Sequence, residues 1–260
     1  MSTDEKELTF WEHLTELLYR LRTIFYSLIV CTLIVMVFPV GFDLANFSSS
    51  NPWYPTIASL VIKRIEEDFL PPGVELIPIS WFAPLEVYIY VSGILGVAMS
   101  SPVIAYELYK FINPALHDHE RRAITPFLVA FTALFILGFF LGYVLIIPAT
   151  IRLLLLSAEP FGLSLRYDFA QFFSLVAGSL FVCGFVMTFP IYLVLAVRAG
   201  ILKTEQFRKN RKYIYGAILI AIAILDPDPS LVTETFLGIP LIIVVEVAIQ
   251  VARRFEKSSE

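Results

Sequence analysis

The chain has 260 residues, 58% of them hydrophobic and 16% charged, with a mean hydropathy of +0.77. Composition this apolar excludes an ordinary soluble domain and points to an integral membrane protein. A net charge of −4 says little about a chain whose two faces differ, and no nucleic-acid partner is expected.

Residues 8–22, "LTFWEHLTELLYRLR", place Leu8, Trp11, Leu14, Leu18 and Leu21 on one helical stripe, while Glu12, Glu16 and Arg20 follow at i,i+4 on another face. The pattern predicts an amphipathic helix over 1–22 on the inner surface, leading into a first span. No charge falls in 23–42, 87–106, 123–151 or 169–197, and each gap reaches the ~20 residues a helix needs to cross a bilayer. Residues 213–225 are too short for a comfortable span, and 235–252 carries Glu246 in its interior. We read both as short spans, because the basic segments before 213 and after 252 should share one side. With the N-terminus inside and six crossings, 15 of the 19 Lys and Arg face inward, and Lys63, Arg64, Arg152 and Arg166 stay outside. The acid-rich start, with no cleavage site after the first apolar run, favours an anchored helix over a signal peptide.

Between the first two spans the outer loop 43–81 is rich in proline and aromatic residues. Ile57, Val61, Ile65 and Phe69, four apart, predict a short surface helix that Pro71 and Pro72 end. Pro102, Pro148, Pro190 and Pro240 lie deep in the spans and are expected to bend them, which can enclose a concave face. Gly138 and Gly142 form a GxxxG that permits close helix approach. Cys31 and Cys183 read as packing residues within spans. The expectation is one all-α polytopic membrane domain over 1–260, with six transmembrane helices, both termini inside, and short fifth and sixth helices.

No enzyme motif appears. "HDHER" (117–121) lacks the second His that H-E-x-x-H needs, and there is no G-x-S-x-G, Walker loop or G-x-G-x-x-G. His13, His117 and His119 read as solvated polar residues. Neither a metal nor a cofactor is implied, and catalysis is not expected. The carboxylates Glu16, Glu107 and Glu120 stand out, at or beside helix ends on the basic inner side. Glu107 and Phe111 share a face if the second helix persists that far, and Pro114 then ends it. Glu120, between Arg121 and Arg122, reads either as a local ion pair or as an acid facing an incoming cation.

"SPVIAYELYKFINPALHDHERR" (101–122) resembles the signature of the TatC family, the multi-spanning subunit of the twin-arginine protein translocase. "HLTELLYRL" (13–21), "GILKTEQFRKNRKY" (200–213) and "IPLIIVVE" (239–246) are similar to further family segments, and the likeness covers most of the chain. It implies a receptor in the cytoplasmic membrane of a prokaryote. Such a receptor binds the twin-arginine signal peptides of folded cargo and works with single-span TatA- and TatB-type partners, drawing on the proton motive force, with a homo-oligomer within the translocase as a further expectation. By the same likeness Glu16 and Glu120 are the carboxylates for the arginine pair, with Phe111 and Pro114 shaping the surface beside them. Glu107 stands where the family often has Gln, and Arg20 keeps a basic position of the first motif.

The chain also departs from the family pattern. Leu18 replaces an Arg, and Thr188 in "MTFP" stands where members commonly carry an intramembrane Glu. Asp228 is shifted and Glu234 occupies a Gln position, so contacts to partners near Thr188, Asp228, Glu234 and Glu246 are open to change. The competing reading is a small-solute secondary transporter with Glu246 as its mid-membrane carboxylate.

Overall fold

The computed structural model describes residues 10–40, 55–112, 124–161, 166–198, 205, 209–225 and 231–259. Helix α1 (Phe10–Val37) is one continuous rod. The expected inner amphipathic helix and the first span are therefore a single helix over the described residues. The described part of its apolar stripe is largely exposed, with Trp11, Leu18 and Leu21 each more than half exposed. Helix α2 (Ile57–Phe69) is the surface helix expected in the outer loop. Thr56 caps it through a reciprocal box, its Oγ1 accepting from the Ser59 N–H while Ser59 Oγ accepts from the Thr56 N–H at 2.9 Å. Ile65 and Phe69 are its buried anchors.

The second span is α3 (Ala83–Ile112), which runs through Pro102 without interruption. Proline withdraws the N–H that Ala98 O would accept, and the Ser101 hydroxyl takes its place at 2.8 Å. The third span handles its proline differently. Helix α4 (Ile124–Leu141) widens into a π-helical turn, Gly142–Ile146, before α5 (Ile147–Ala158) continues it. The turn sits just ahead of Pro148, where the ladder must lose a donor. At Pro190 the helix breaks into α6 (Phe169–Met187) and α7 (Phe189–Arg198). The Thr188 N–H then bonds both Phe185 O and Val186 O, so the carbonyl orphaned by Pro190 is satisfied.

Helix α8 (Arg211–Leu225) is short, as expected. The last helix, α9 (Leu231–Ser259), is not: it has 29 residues, with Pro240 inside, and only its apolar stretch Leu237–Val251 is short. Heptad-independent helix formers beyond the apolar run, such as Ala252, Glu256 and Lys257, let the helix continue past the hydrocarbon-suited part. Four helical stretches are long and apolar enough to cross a membrane: Leu14–Val37, Ala83–Phe111, Thr125–Ala158 and Phe169–Val197. They coincide with the four charge-free gaps.

The all-α expectation needs one correction. Strands β1 (Glu75–Ile77) and β2 (Arg166–Asp168) pair in parallel, Leu76 opposite Tyr167, and tie the outer loop to the start of α6. Arg166 Nε meets Glu75 Oε2 at 3.2 Å across the pair.

The buried apolar residues form three groups. At the end of the bundle near α2, Ile65, Phe69, Val87, Ile151 and Phe173 pack α2, α3, α5 and α6 together. Around Cys183 and Met187, α6 meets α8 and α9 through Ile222, Leu237 and Leu241. Toward the opposite end Tyr109, Phe127, Phe131 and Ile191 join α3, α4 and α7. Cys183 is buried and Cys31 half-buried, and neither forms a disulfide. The GxxxG glycines face Cys183: a Cβ on Gly138 would lie 2.3 Å from its carbonyl oxygen. Helix α1 packs chiefly on α3, where Gly96 lets the Thr32 backbone approach so closely that a Cβ would lie 2.9 Å from its nitrogen.

Candidate functional site: a charged knot at one end of two spans

Four residues separate Glu16 from Arg20 on α1, so both project from one face one turn apart. Arg20 turns back on Glu16, its Nε reaching Oε1 at 3.1 Å and an NH2 donor meeting the same oxygen. Its remaining arm reaches across to α3, where NH1 stands 3.4 Å from Glu107 Oε2. One guanidinium therefore serves two carboxylates from two spans, 87 positions apart in sequence. The planar fork makes this possible, because its N–H groups diverge to separate acceptors in a way an ammonium cannot copy.

Burial gives the arrangement its weight. The side chains of Arg20 and Glu107 are 16% and 11% exposed, and that of Glu16 is 24% exposed. These are partly desolvated charges, for which mutual pairing matters more than on an open surface. Among the described residues the knot carries two negative charges and one positive. The long α3 brings Glu107 here because the helix persists to Ile112, which also puts Phe111 one turn further along, half-buried. Lys110 lies over the Tyr106 ring at 4.3 Å.

Of the sequence-derived site residues, Glu16, Arg20, Glu107 and Phe111 thus gather at the ends of α1 and α3. Pro114, Glu120 and Asp228 lie outside the described residues, and for Glu234 only its backbone position in the first turn of α9 is described. Thr188 is fully buried, its hydroxyl donating to Phe185 O at 2.7 Å. That makes it an internal polar residue at a helix break, with no surface to offer a partner.

Glu246 belongs to a second knot. Tyr215 on α8 donates to its Oε1, and Arg211 NH2 stands 3.3 Å from its Oε2. Sequence reasoning found Glu246 but not its partners, although Arg211 and Tyr215 at i,i+4 were a usable signal for one polar face on α8. A third polar link, Tyr143 Oη to Asp68 Oδ2 at 2.5 Å, joins the turn before Pro148 to α2 and was also missed.

A cavity of about 780 Å³ lies at the opposite end from the Glu16 knot. Leu70, Leu76, Leu154 and Phe172 line it, with Arg166 and Asp168 beside them. Among the described residues no cluster of His, Cys, Asp and Glu could hold a metal ion.

A chain with these four spans and a charged knot at one end of two of them is a polytopic helical membrane protein of the transport class, with its polar chemistry at a helix-end surface. Residues 12–240 match the family described as "Sec-independent protein translocase protein (TatC)". The protein of that name from Aquifex aeolicus (strain VF5) is 32% identical over 246 residues, 92% of each chain, and that from Escherichia coli (strain K12) is 29% identical over 93% of this chain and 86% of its own. A solved structure, "Crystal Structure of Twin Arginine Translocase Receptor- TatC in DDM", superposes with a TM-score of 0.74 at 29% identity, covering 92% of this chain and 99% of that one. The chain belongs to the TatC family of Sec-independent protein translocase subunits. It is a prokaryotic membrane protein of the twin-arginine translocation system.

Proposed function

We propose that this subunit is the receptor of its translocase. It lies in the cytoplasmic membrane with six spans and both termini inside, and binds the twin-arginine signal peptide of folded cargo at the cytoplasmic ends of α1 and α3. One observation carries the reading: the Glu16 and Glu107 carboxylates already converge on one guanidinium. Two acids from different helices, set to accept N–H donors from one planar group, fit arginine better than lysine. By the family likeness Glu120 adds a third acid to the set.

A charge-assisted bond at a partly desolvated acid contributes ~1.5–3 kcal/mol, against ~0–1 kcal/mol for an exposed pair. Two arginines alone therefore support roughly millimolar to micromolar binding. The peptide's apolar stretch supplies the rest by entering the bilayer or the concave side of the proline-bent spans.

Single-span TatA- and TatB-type partners dock against α8 and α9. The 15 residues of α8 cover only ~22 Å of a ~30 Å core, so the bilayer must thin or another helix must cover the step. Ile220 and Ile224 on α8 and Ile239, Ile243 and Val247 on α9 are exposed apolar side chains for such a partner. The solute-transporter alternative loses support, since Glu246 is already engaged by Tyr215 and Arg211.

The test is photo-crosslinking of a twin-Arg and a twin-Lys signal peptide to wild type, Glu16→Gln, Glu107→Gln and Glu120→Gln in membrane vesicles. The reading expects the twin-Arg crosslink to drop in each variant and to be strongest in wild type. Equal crosslinking throughout would end it.

A further inference from the structure

The geometry of Arg20 points to a role beyond scaffolding: we infer that its guanidinium is a resident stand-in for the ligand, holding the acids together in the empty receptor and yielding to an arginine of the signal peptide. This rests on the reading that the knot is where the peptide's arginines bind. The observation specific to Arg20 is its geometry. It takes Glu16 through Nε and NH2 and Glu107 through NH1, so it spans the donor positions an incoming arginine needs on both carboxylates.

The two halves of this grip differ. Glu16 is engaged by two donors one helical turn away, a contact the helix itself supports. Glu107 is held by a single donor at 3.4 Å, at the long end for a charge-assisted bond. Exchange therefore starts at Glu107, where the bond to Arg20 is weakest and the side chain is the more buried of the two acids. An arginine arriving there with a better-aligned fork takes Glu107 and leaves Arg20 on Glu16. The second arginine of the pair then competes for Glu16. A peptide carrying one arginine can complete only the first exchange, which gives the site a reason to demand two.

The consequence is counter-intuitive for a basic residue at an arginine receptor. Arg20 competes with the ligand, so removing it should strengthen binding. A resident cation with differential preference for the empty state lowers the apparent affinity by the fraction of sites it occupies.

The full chain in lipid nanodiscs is titrated with fluorescent signal peptides bearing Arg-Arg, Arg-Gln or Lys-Lys. Arg20→Gln is expected to bind the Arg-Arg peptide about three- to tenfold more tightly than wild type, the range for losing competition at a partly exposed ion pair. The Arg-Gln peptide should gain less than the Arg-Arg peptide does, because one exchange is removed from its path and two from the other's. Millimolar argininamide should raise the thermal unfolding temperature of Arg20→Gln and leave wild type unchanged, a rescue that a purely structural residue would not show. If Arg20→Gln does not fold, Arg20→Lys decides the matter: tighter Arg-Arg binding than wild type supports the inference, and equal or weaker binding overturns it. Weaker binding by a folded Arg20→Gln likewise overturns it. Glu16→Gln separates the two failures. Loss of peptide binding there together with loss in Arg20→Gln keeps the receptor reading and makes Arg20 a scaffold, whereas no effect of Glu16→Gln removes the site itself.

Discussion

Gly138→Ala is a sharp test of how the third and fourth spans meet. An added Cβ would stand 2.3 Å from the Cys183 carbonyl oxygen and 2.8 Å from Met187 Cβ, so α4 and α6 must part by roughly 1 Å. Overpacking of this kind costs about 1–3 kcal/mol, and a gap near 1 Å forfeits up to half of the dispersion well of each displaced contact. Alanine's better helix propensity offsets about 1 kcal/mol, leaving a net loss of up to ~2 kcal/mol. Gly142→Ala is the control. Its Cβ would meet Cys183 Cβ at 3.1 Å and Sγ at 3.2 Å, contacts relieved by a few tenths of an ångström, so the propensity gain cancels the strain. The second mutation of each pair separates backbone from side chain: Cys183→Ala should improve Gly142→Ala and do nothing for Gly138→Ala, whose clash is with a carbonyl. Thermal unfolding in detergent, followed by size-exclusion of the surviving fraction, reads all four variants. Equal midpoints for Gly138→Ala and Gly142→Ala would refute the close approach of α4 and α6 at Cys183.

Three further perturbations probe the polar links. Tyr215→Phe removes the donor to Glu246 and should cost ~0.5–1.5 kcal/mol in the same melt, with Arg211→Gln in the Tyr215→Phe background costing more than in wild type because Glu246 then loses both described partners. Tyr143→Phe keeps the edge contact with Phe69 at 4.7 Å but loses the bond to Asp68, so hydrogen exchange should quicken in α2 while the global midpoint moves little. Thr188→Val removes one hydroxyl bond to Phe185 O and should cost about 0.6 kcal/mol, the mean for such bonds within a membrane; Thr188→Glu, at a position with no exposure, should cost several times more and lower the yield of folded protein.

Much of the fold was legible because a bilayer makes simple demands. A charge-free run of some 20 residues has few alternatives to a span, and the four gaps became the four long apolar helices. Pro71 and Pro72 marked the end of α2 because breakers act locally, whereas the Thr56–Ser59 box at its start came only with the structure. The means by which each proline was absorbed was not legible. Ser101 answers Pro102, a widened turn precedes Pro148, and the Thr188 N–H answers Pro190, three solutions chosen by neighbours that periodicity does not rank. The β1–β2 pair was invisible for a related reason: three-residue strands carry no alternation to count, and their partner lies some 90 residues away. The extent of α9 was misjudged because hydropathy marks where a helix leaves hydrocarbon, whereas the helix itself ends where its backbone hydrogen bonds do.

The site divides along the same line between local and distant. Glu16 and Arg20 form a pair that helical spacing announces, but the tie to Glu107 depends on the register of α1 against α3. That register is set at Gly96, the one place where the missing Cβ lets the Thr32 backbone come within contact. The two helices run in opposite directions from that point. Arg20 lies twelve residues before Thr32 and Glu107 eleven after Gly96, so at ~1.5 Å per residue both stand ~17 Å from the contact, at the same level. At the other end Tyr88 Oη donates to Met36 O at 2.6 Å and fixes the same register from there. A slip of one turn would carry Glu107 ~5 Å past Arg20 and dissolve the knot. The charged cluster therefore depends on a glycine in mid-span and a tyrosine near the opposite end of the two helices, residues with no charge that a search for binding groups would pass over.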